Sequence, residues 1–427
     1  MNLTTALAHL WSTKEIRKKI LTTALLLAIF RLVAHIPTSG VDHQALRTLF
    51  SQSPFLSLLD VFSGGTLANF SILALGLNPY INASIVIQLM TLVFPQLEEL
   101  QKEGETGRAK INQYTRALTV PLAAMQSVGM YFLLNSQGVV ASLNPFSLFV
   151  LMSTMTAGTM FAVWIGELIT EYGIGNGISL LIFAGIVGRI PVVASQTIAT
   201  TTSSEDFFPI LIFSLLSVVV IASIVFMSEA IRKVSVQYAR RAARGGVVSQ
   251  TTHLPLRLNQ AGVIPIIFAI SLVLAPTMLG QFLTRIPNPQ VSYFAGTLSQ
   301  WFQPQSLTYE VTYFLLVVGF TFFYTAVIFN PTKISDEIKK HGGFIPGIRP
   351  GTPTASYLNY ILMRITLVGA VFLGLIAVLP SIVQGATGIT NLAIGGTGIL
   401  IVVSVVLETV KKLESQLVMR NYDKFLQ

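Results

Sequence analysis

The sequence predicts an all-α polytopic membrane protein of about ten transmembrane helices. Three observations predict it. Only 11% of the residues are charged while 52% are hydrophobic, whereas a soluble domain carries about 25% charge. The apolar residues fall in long runs, and a run of about 20 spans a bilayer as a helix. Runs such as Ile210 to Phe226 do not alternate polar and apolar residues as strands of an outer-membrane barrel do. They read as helices, which satisfy their own backbone hydrogen bonds in lipid.

Taken in chain order, the candidate spans are 20–36, 73–94, 117–134, 146–169, 178–198, 209–230, 260–283, 311–330, 365–383 and 392–407. The first is short, and Arg31 and His35 interrupt it. Lys14, Arg17, Lys18 and Lys19 precede it, but no small-residue cleavage site follows, so it reads as a retained helix rather than a signal peptide. The fifth is broken by Gly188, Arg189 and Pro191.

With a cytoplasmic N-terminus and strict alternation, cytoplasmic segments hold 23 of the 27 Lys and Arg residues. Arg47, Arg189 and Arg285 fall outside, and Arg31 lies within a span. That positive-inside bias supports an even number of spans with both termini cytoplasmic. The net charge of +9 is therefore largely an orientation signal rather than a nucleic-acid footprint. Two cytoplasmic loops exceed that need. One, about 231–259, carries Arg232, Lys233, Arg240, Arg241, Arg244 and Arg257. The other, about 331–360, carries Lys333, Lys339, Lys340 and Arg349. Turn-formers and apolar residues in both suggest ordered, protruding loops. Their charge is compatible with topology alone or with docking of a partner.

Five spans lie on each side of the polar external stretch 199–208, dividing the chain into halves 1–198 and 209–427. Five is odd, so the second half enters the membrane inverted, a topology that places working sites at the interface of repeats. Residues 57–72 are moderately apolar, carry Ser63-Gly-Gly-Thr66, and are too short and broken to cross. They read either as an external loop or as a short re-entrant element, which survives at membrane depth only when buried in protein or lining a cavity.

Catalytic chemistry is sparse. There is no cysteine, no His-Glu-x-x-His, and none of the five histidines lies within five residues of another. No cofactor, metal or catalytic residue is implied. Charges inside spans are few: Arg31, Glu167, Arg189 and Glu229. Gly173-Ile-Gly-Asn-Gly177 follows a span rather than a strand and lacks a following Gly-Lys. It reads as a tight re-entry turn. Composition alone leaves a secondary transporter and an intramembrane protease open.

Motifs narrow this. Ser63-Gly-Gly with Ala74-Leu-Gly-Leu-Asn-Pro-Tyr-Ile-Asn-Ala-Ser-Ile85 resembles the plug and second helix of the SecY family. Glu103-Gly-Glu-Thr-Gly-Arg108, Glu171-Tyr-Gly-Ile-Gly-Asn-Gly-Ile-Ser179, Thr252-His-Leu-Pro-Leu256, Asn259-Gln-Ala-Gly-Val-Ile-Pro265 and Phe344-Ile-Pro-Gly-Ile-Arg-Pro-Gly351 follow in that family's order. The resemblance runs along essentially the whole chain. It implies two inverted five-helix halves around a central pore, a plug helix at about 57–72 and a lateral gate. Signal-sequence-bearing polypeptides would pass through the pore and leave sideways into the lipid bilayer. The implied partners are SecE-like and SecG-like subunits in the membrane and SecA or the ribosome on the cytoplasmic side. The implied membrane is the bacterial plasma membrane, or a thylakoid membrane.

Matched residue by residue, the resemblance assigns a pore ring to Leu77, Ile81, Ile178, Ile182, Ile267 and Ile401. It assigns the plug to Ser63, Gly64, Gly65, Thr66, Leu67 and Asn69, and the gate to Gln88, Thr91 and Asn259, which could hydrogen-bond across it. Partner docking falls to Arg240, Arg241, Arg244 and Arg349. Two positions depart from the family pattern: Gly245-Gly246 follows Arg244 at the loop tip, and Asn69 stands at a common Arg position.

Overall fold

The computed structural model describes residues 13–38, 46, 60, 65–67, 69–136, 138, 140, 143–191, 195, 207–241, 247–283, 288–303, 306–387 and 396–426. The fold is mostly helical. In chain order the described helices are α1 (Lys14–Val33), α2 (Asn78–Val93), α3 (Pro95–Lys102), α4 (Glu105–Ser136), α5 (Pro145–Tyr172), α6 (Gly177–Val187) and α7 (Phe207–Glu229). There follow α8 (Ile264–Leu283), α9 (Pro289–Trp301), α10 (Leu307–Ile328), α11 (Pro331–Lys340), α12 (Thr352–Thr387) and α13 (Gly396–Leu426). Strands β1 (Ile231–Arg241), β2 (Val247–Arg257) and β3 (Gly343–Phe344) complete the set.

Among the described residues, four helical stretches are long and apolar enough to cross a membrane: Glu105–Asn135, Pro145–Tyr172, Leu307–Lys340 and Thr352–Val383. A fifth, α2 with α3, is bent by 103°. The bend falls at Phe94, whose backbone is extended, just before Pro95, since a residue preceding proline avoids the helical region. Shorter apolar helices lie at Gly177–Val187, Ser214–Glu229 and Ile264–Thr277.

Several helices outrun the spans read from hydropathy. α4 starts at Glu105, α12 at Thr352, and α13 continues to Leu426. Charged residues end a membrane-suited stretch, but Glu, Lys, Arg and Gln are good helix formers and need not end the helix. α6 goes the other way and stops at Val187, where Gly188 and the approaching Pro191 interrupt it. The linker 199–208 lies almost wholly outside the described residues.

The first basic loop is a β-ribbon. β1 and β2 pair antiparallel in unbroken register from Ile231↔Arg257 to Arg241↔Val247. β3, from the second basic loop, adds to the other edge of β1 through Gln237↔Phe344 and Tyr238↔Gly343. Val234, Val236 and Leu256 face Ile338 of α11, Ile345 and Leu358 of α12 in one apolar cluster. The two loops therefore form a single lobe rather than two separate protrusions.

Two larger apolar clusters fill the helical body. One gathers residues of α4, α5, α7, α8, α10 and α12 with Leu67 and Phe70. The other gathers α1, α5, α6 and α13 with Leu73 and Leu77.

Candidate functional site

The approach to α2 is a chain of tight turns. Residues 65–67 and 69–77 form successive turns, buried except at a few positions, and α2 begins at Asn78-Pro79 with Leu77 as its cap. This stretch is tied to the exit of α1. Thr38 donates to the Phe70 carbonyl through its N–H (3.0 Å) and its hydroxyl (2.7 Å), and Ile72 N–H donates to Ile36 O (3.1 Å). Phe70 is fully buried with φ +42, a conformation costing about 1–2 kcal/mol for an L-residue, so burial and these bonds must hold it.

α6 is set by the glycine turn before it. Asn176 Oδ1 accepts from Ser179 N–H (3.3 Å), and Thr170 Oγ1 accepts from Gly177 N–H (2.8 Å). A Cβ on Gly177 would sit 1.8 Å from the Gly166 carbonyl, so only glycine lets α6 fold back this closely on α5. Ile174 N–H donates to Thr23 Oγ1 of α1 (3.1 Å). The Gly173–Gly177 segment is thus a packed re-entry turn, as its composition predicts.

These devices bring Ile178 and Ile182 into one apolar cluster with Leu77 and Ile81. All six residues assigned to the ring meet in one apolar cluster: Leu77, Ile182 and Ile401 are buried, and Ile81, Ile178 and Ile267 pack against them. They come from α6, α8, α13 and the start of α2. Four of them, Ile81, Ile182, Ile267 and Ile401, line a cavity of about 90 Å³, and Leu67 borders it too. Leu77 and Ile178 do not border that cavity; Ile178 lies instead against Gly166 of α5. The polar part of the lining comes from Asn78, Asn82, Gln126 and Ser271. Nothing in the sequence marks these four, because isolated amides and hydroxyls within spans usually serve helix packing.

Of the residues assigned to the plug, Ser63 and Gly64 lie outside the described residues. Gly65 has φ +83, Thr66 and Leu67 are buried, and Asn69 is half-buried. Asp60 is helical, but residues 65–67 and 69–77 are turn or bridge rather than helix.

The three polar residues assigned to the gate bond locally. Gln88 Nε2 donates to Ser84 Oγ (3.2 Å), Thr91 Oγ1 to Gln88 O (2.6 Å), and Asn259 Nδ2 to Gly262 O (3.1 Å). The hydrogen bonds expected between them across an interface are not formed. Within a helix, a hydroxyl finds the carbonyl one turn back more easily than a distant partner. Asn259 Oδ1 is buried without a hydrogen-bond partner.

Arg349 is exposed on the basic lobe. Its carbonyl accepts from Thr354 Oγ1 (3.0 Å), and Ser335 Oγ donates to Gly351 O (2.7 Å), so the turn presenting it is fixed. Arg240 and Arg241 end β1, paired with Val248 and Val247. Arg244 lies outside the described residues.

Each charge found inside a span has a structural partner. Arg31 donates to Ala184 O (2.6 Å) and Gly185 O (3.2 Å), capping the end of α6. Glu167 pairs with Arg116 (3.1 Å), Glu229 with Lys411 (2.6 Å), and Arg189 with Asp60. Among the described residues no group of three His, Asp or Glu side chains could hold a metal.

A sequence model of the SecY family matches residues 71–410. The chain is 43% identical to the protein translocase subunit SecY of Streptomyces griseus, over 99% of each chain. Its fold resembles that of a SecY structure whose plug domain is described as stabilising the closed state of the translocation channel and maintaining a membrane seal. That match has a TM-score of 0.65 at 19% identity, covering 93% of this chain and 92% of the other. It also resembles Sec61 in the canine ribosome–channel complex from the endoplasmic reticulum, with a TM-score of 0.59 at 17% identity and the same coverage.

Proposed function

This chain belongs to the SecY family, and on that premise we propose that it is the protein-conducting channel of a membrane translocase. It passes unfolded secretory polypeptides across the membrane and releases signal and transmembrane segments sideways into lipid. As a channel subunit it performs no chemistry. The energy comes from SecA or the translating ribosome, docked on the basic lobe through Arg349 and the end of the β-ribbon. SecE-like and SecG-like subunits complete the complex. The ten spans form two inverted five-helix halves, with both termini in the cytoplasm of a bacterial cell.

One observation carries this reading. Four separate parts of the chain bring six aliphatic side chains, and no charge, to one cluster bordering a cavity. A narrow apolar constriction excludes water and hydrated ions by dewetting. Its aliphatic side chains offer a passing peptide no hydrogen bonds, and the polar groups on the same cavity wall, Asn78, Asn82, Gln126 and Ser271, carry no charge that would trap it. Residues 57–72 close the outer side as a plug, with Leu67 against the cavity. Gln88, Thr91 and Asn259 line the lateral gate.

The chain has no cysteine, so a single one reports cleanly. With Ile81→Cys, a secretory polypeptide arrested in transit and carrying its own cysteine should form a disulfide to position 81. The single variant Tyr293→Cys, on the exposed face of α9, serves as control. Crosslinking at 293 but not at 81 would overturn the pore assignment.

A further inference from the structure

Asp60 is fully buried, and its carboxylate pairs with the guanidinium of Arg189. Residues 129 positions apart are joined, one in the segment read as the plug, the other just past the end of α6. Arg189 is anchored there by its own N–H, which donates to Ile186 O (3.1 Å). Its side chain lies along the turn at Gly65: a Cβ on that glycine would stand 3.3 Å from both Cγ and Cδ of Arg189. Gly65 N–H donates in turn to Asp60 O (2.9 Å). Carboxylate, turn and arginine thus form one closed unit. α6 itself carries Ile178 and Ile182 of the ring and is capped by Arg31.

We propose that the Asp60–Arg189 pair is a latch that holds the plug against the outer end of α6 while the channel rests. This rests on reading residues 57–72 as a plug. The physics favours a latch over a glue. A buried ion pair adds little net stability relative to two hydrated ions, but removing one partner leaves a buried uncompensated charge and is strongly destabilising. The fully seated and fully displaced plug therefore both satisfy the charges, and a half-displaced plug does not. The pair makes release two-state.

The test uses the full chain with its membrane partners, reconstituted in proteoliposomes. Arg189→Gln should raise resting ion conductance at least about tenfold, because it strands the fully buried Asp60 carboxylate. Asp60→Asn should raise it less, because the Arg189 side chain it leaves is 23% exposed and reaches water. The double variant Asp60→Asn/Arg189→Gln should return most of the way to the resting value, which a general folding defect at either site would not do. Single variants that stay at resting conductance, or a double variant leakier than both, would overturn the latch. The plug reading is tested apart from it. A short bismaleimide joining Asp60→Cys to Arg189→Cys should block polypeptide translocation. Full translocation through the crosslinked channel would overturn the plug reading itself, whatever the conductance of the single variants.

Discussion

The cluster proposed as the constriction and the basic lobe are both built on apolar side chains fed by distant segments, yet they are held together differently. In the constriction, side chains from α2, α6, α8 and α13 meet only by packing. Dispersion contacts have no direction and no partner to leave unsatisfied. In the lobe, two 11-residue strands are locked by a continuous backbone ladder, and β3 adds a further edge. Backbone hydrogen bonds fix register, because a one-residue slip would turn Val234 and Val236 outward. The difference fits the two tasks proposed for them: a seal that parts around a moving chain, and a platform that stays rigid while a partner pushes on it.

Breaking the platform should have the largest effect. Leu256 is 1% exposed at the centre of the lobe cluster, so Leu256→Asp buries a charge with no partner, at a cost of several kcal/mol. The lobe should unfold locally, and polypeptide translocation driven by SecA should be lost. Resting ion conductance should not change, because the constriction shares no residue with this cluster. A leak in this variant would show that the two regions are not independent. Next in size, Arg349→Glu keeps the lobe folded, since the side chain is exposed and only its carbonyl is bonded. Translocation driven by SecA should still fail in an assembled complex, because guanidinium suits bidentate contact with carboxylates or phosphates and a carboxylate repels them. Normal transport by that variant would leave the basic charge as a topology signal alone.

Breaking the seal should give a smaller, graded effect. Changing Ile81, Ile182, Ile267 and Ile401 together to Ser should raise resting conductance severalfold without preventing assembly, because it replaces four aliphatic side chains of a partly polar lining with hydroxyls, and the cavity rewets. Each single change should be mild, since Leu67 still borders the same cavity. Conductance at the resting level in the quadruple variant would refute the ring.

What was legible in the sequence follows the same division. Long apolar helices such as α5 and α12 are written in composition, and the Gly173–Gly177 turn in its glycines. The lobe was not legible as a sheet. Val234, Val236 and Tyr238 alternate as in a strand, but the basic residues beside them read first as a topology signal, and pairing with β3 joins positions more than 100 residues apart. The apolar cluster of the six residues assigned to the ring was reached only through family resemblance, because i, i+4 aliphatics such as Leu77 with Ile81 look the same in any helix core. The Asp60–Arg189 pair had no local signature at all. Arg189 read as a charge at a helix break, and nothing in the spacing points to its partner.

The proposed gate tests the comparison most finely, since direction and packing compete at Asn259. Asn259 spends its amide donor on Gly262 O, while its Oδ1 is buried without a hydrogen-bond partner. An unpaired buried acceptor disfavours the closed interface, and parting the helices would let water or a signal peptide reach it. Asn259→Leu removes that acceptor with little change in volume and replaces it by packing alone. The closed state should gain on the order of 0.6 kcal/mol, the scale of polar interactions between membrane helices. That amounts to about threefold in the closed-to-open ratio. Secretory polypeptides with weak signal sequences should therefore be accepted about threefold less well, while those with strong ones, whose binding exceeds this difference, should be unaffected. The measurement is translocation of a signal-sequence series graded in hydrophobicity. A uniform loss across the series would mean that Asn259 supports the fold through Gly262, and an unchanged preference would remove it from the gate.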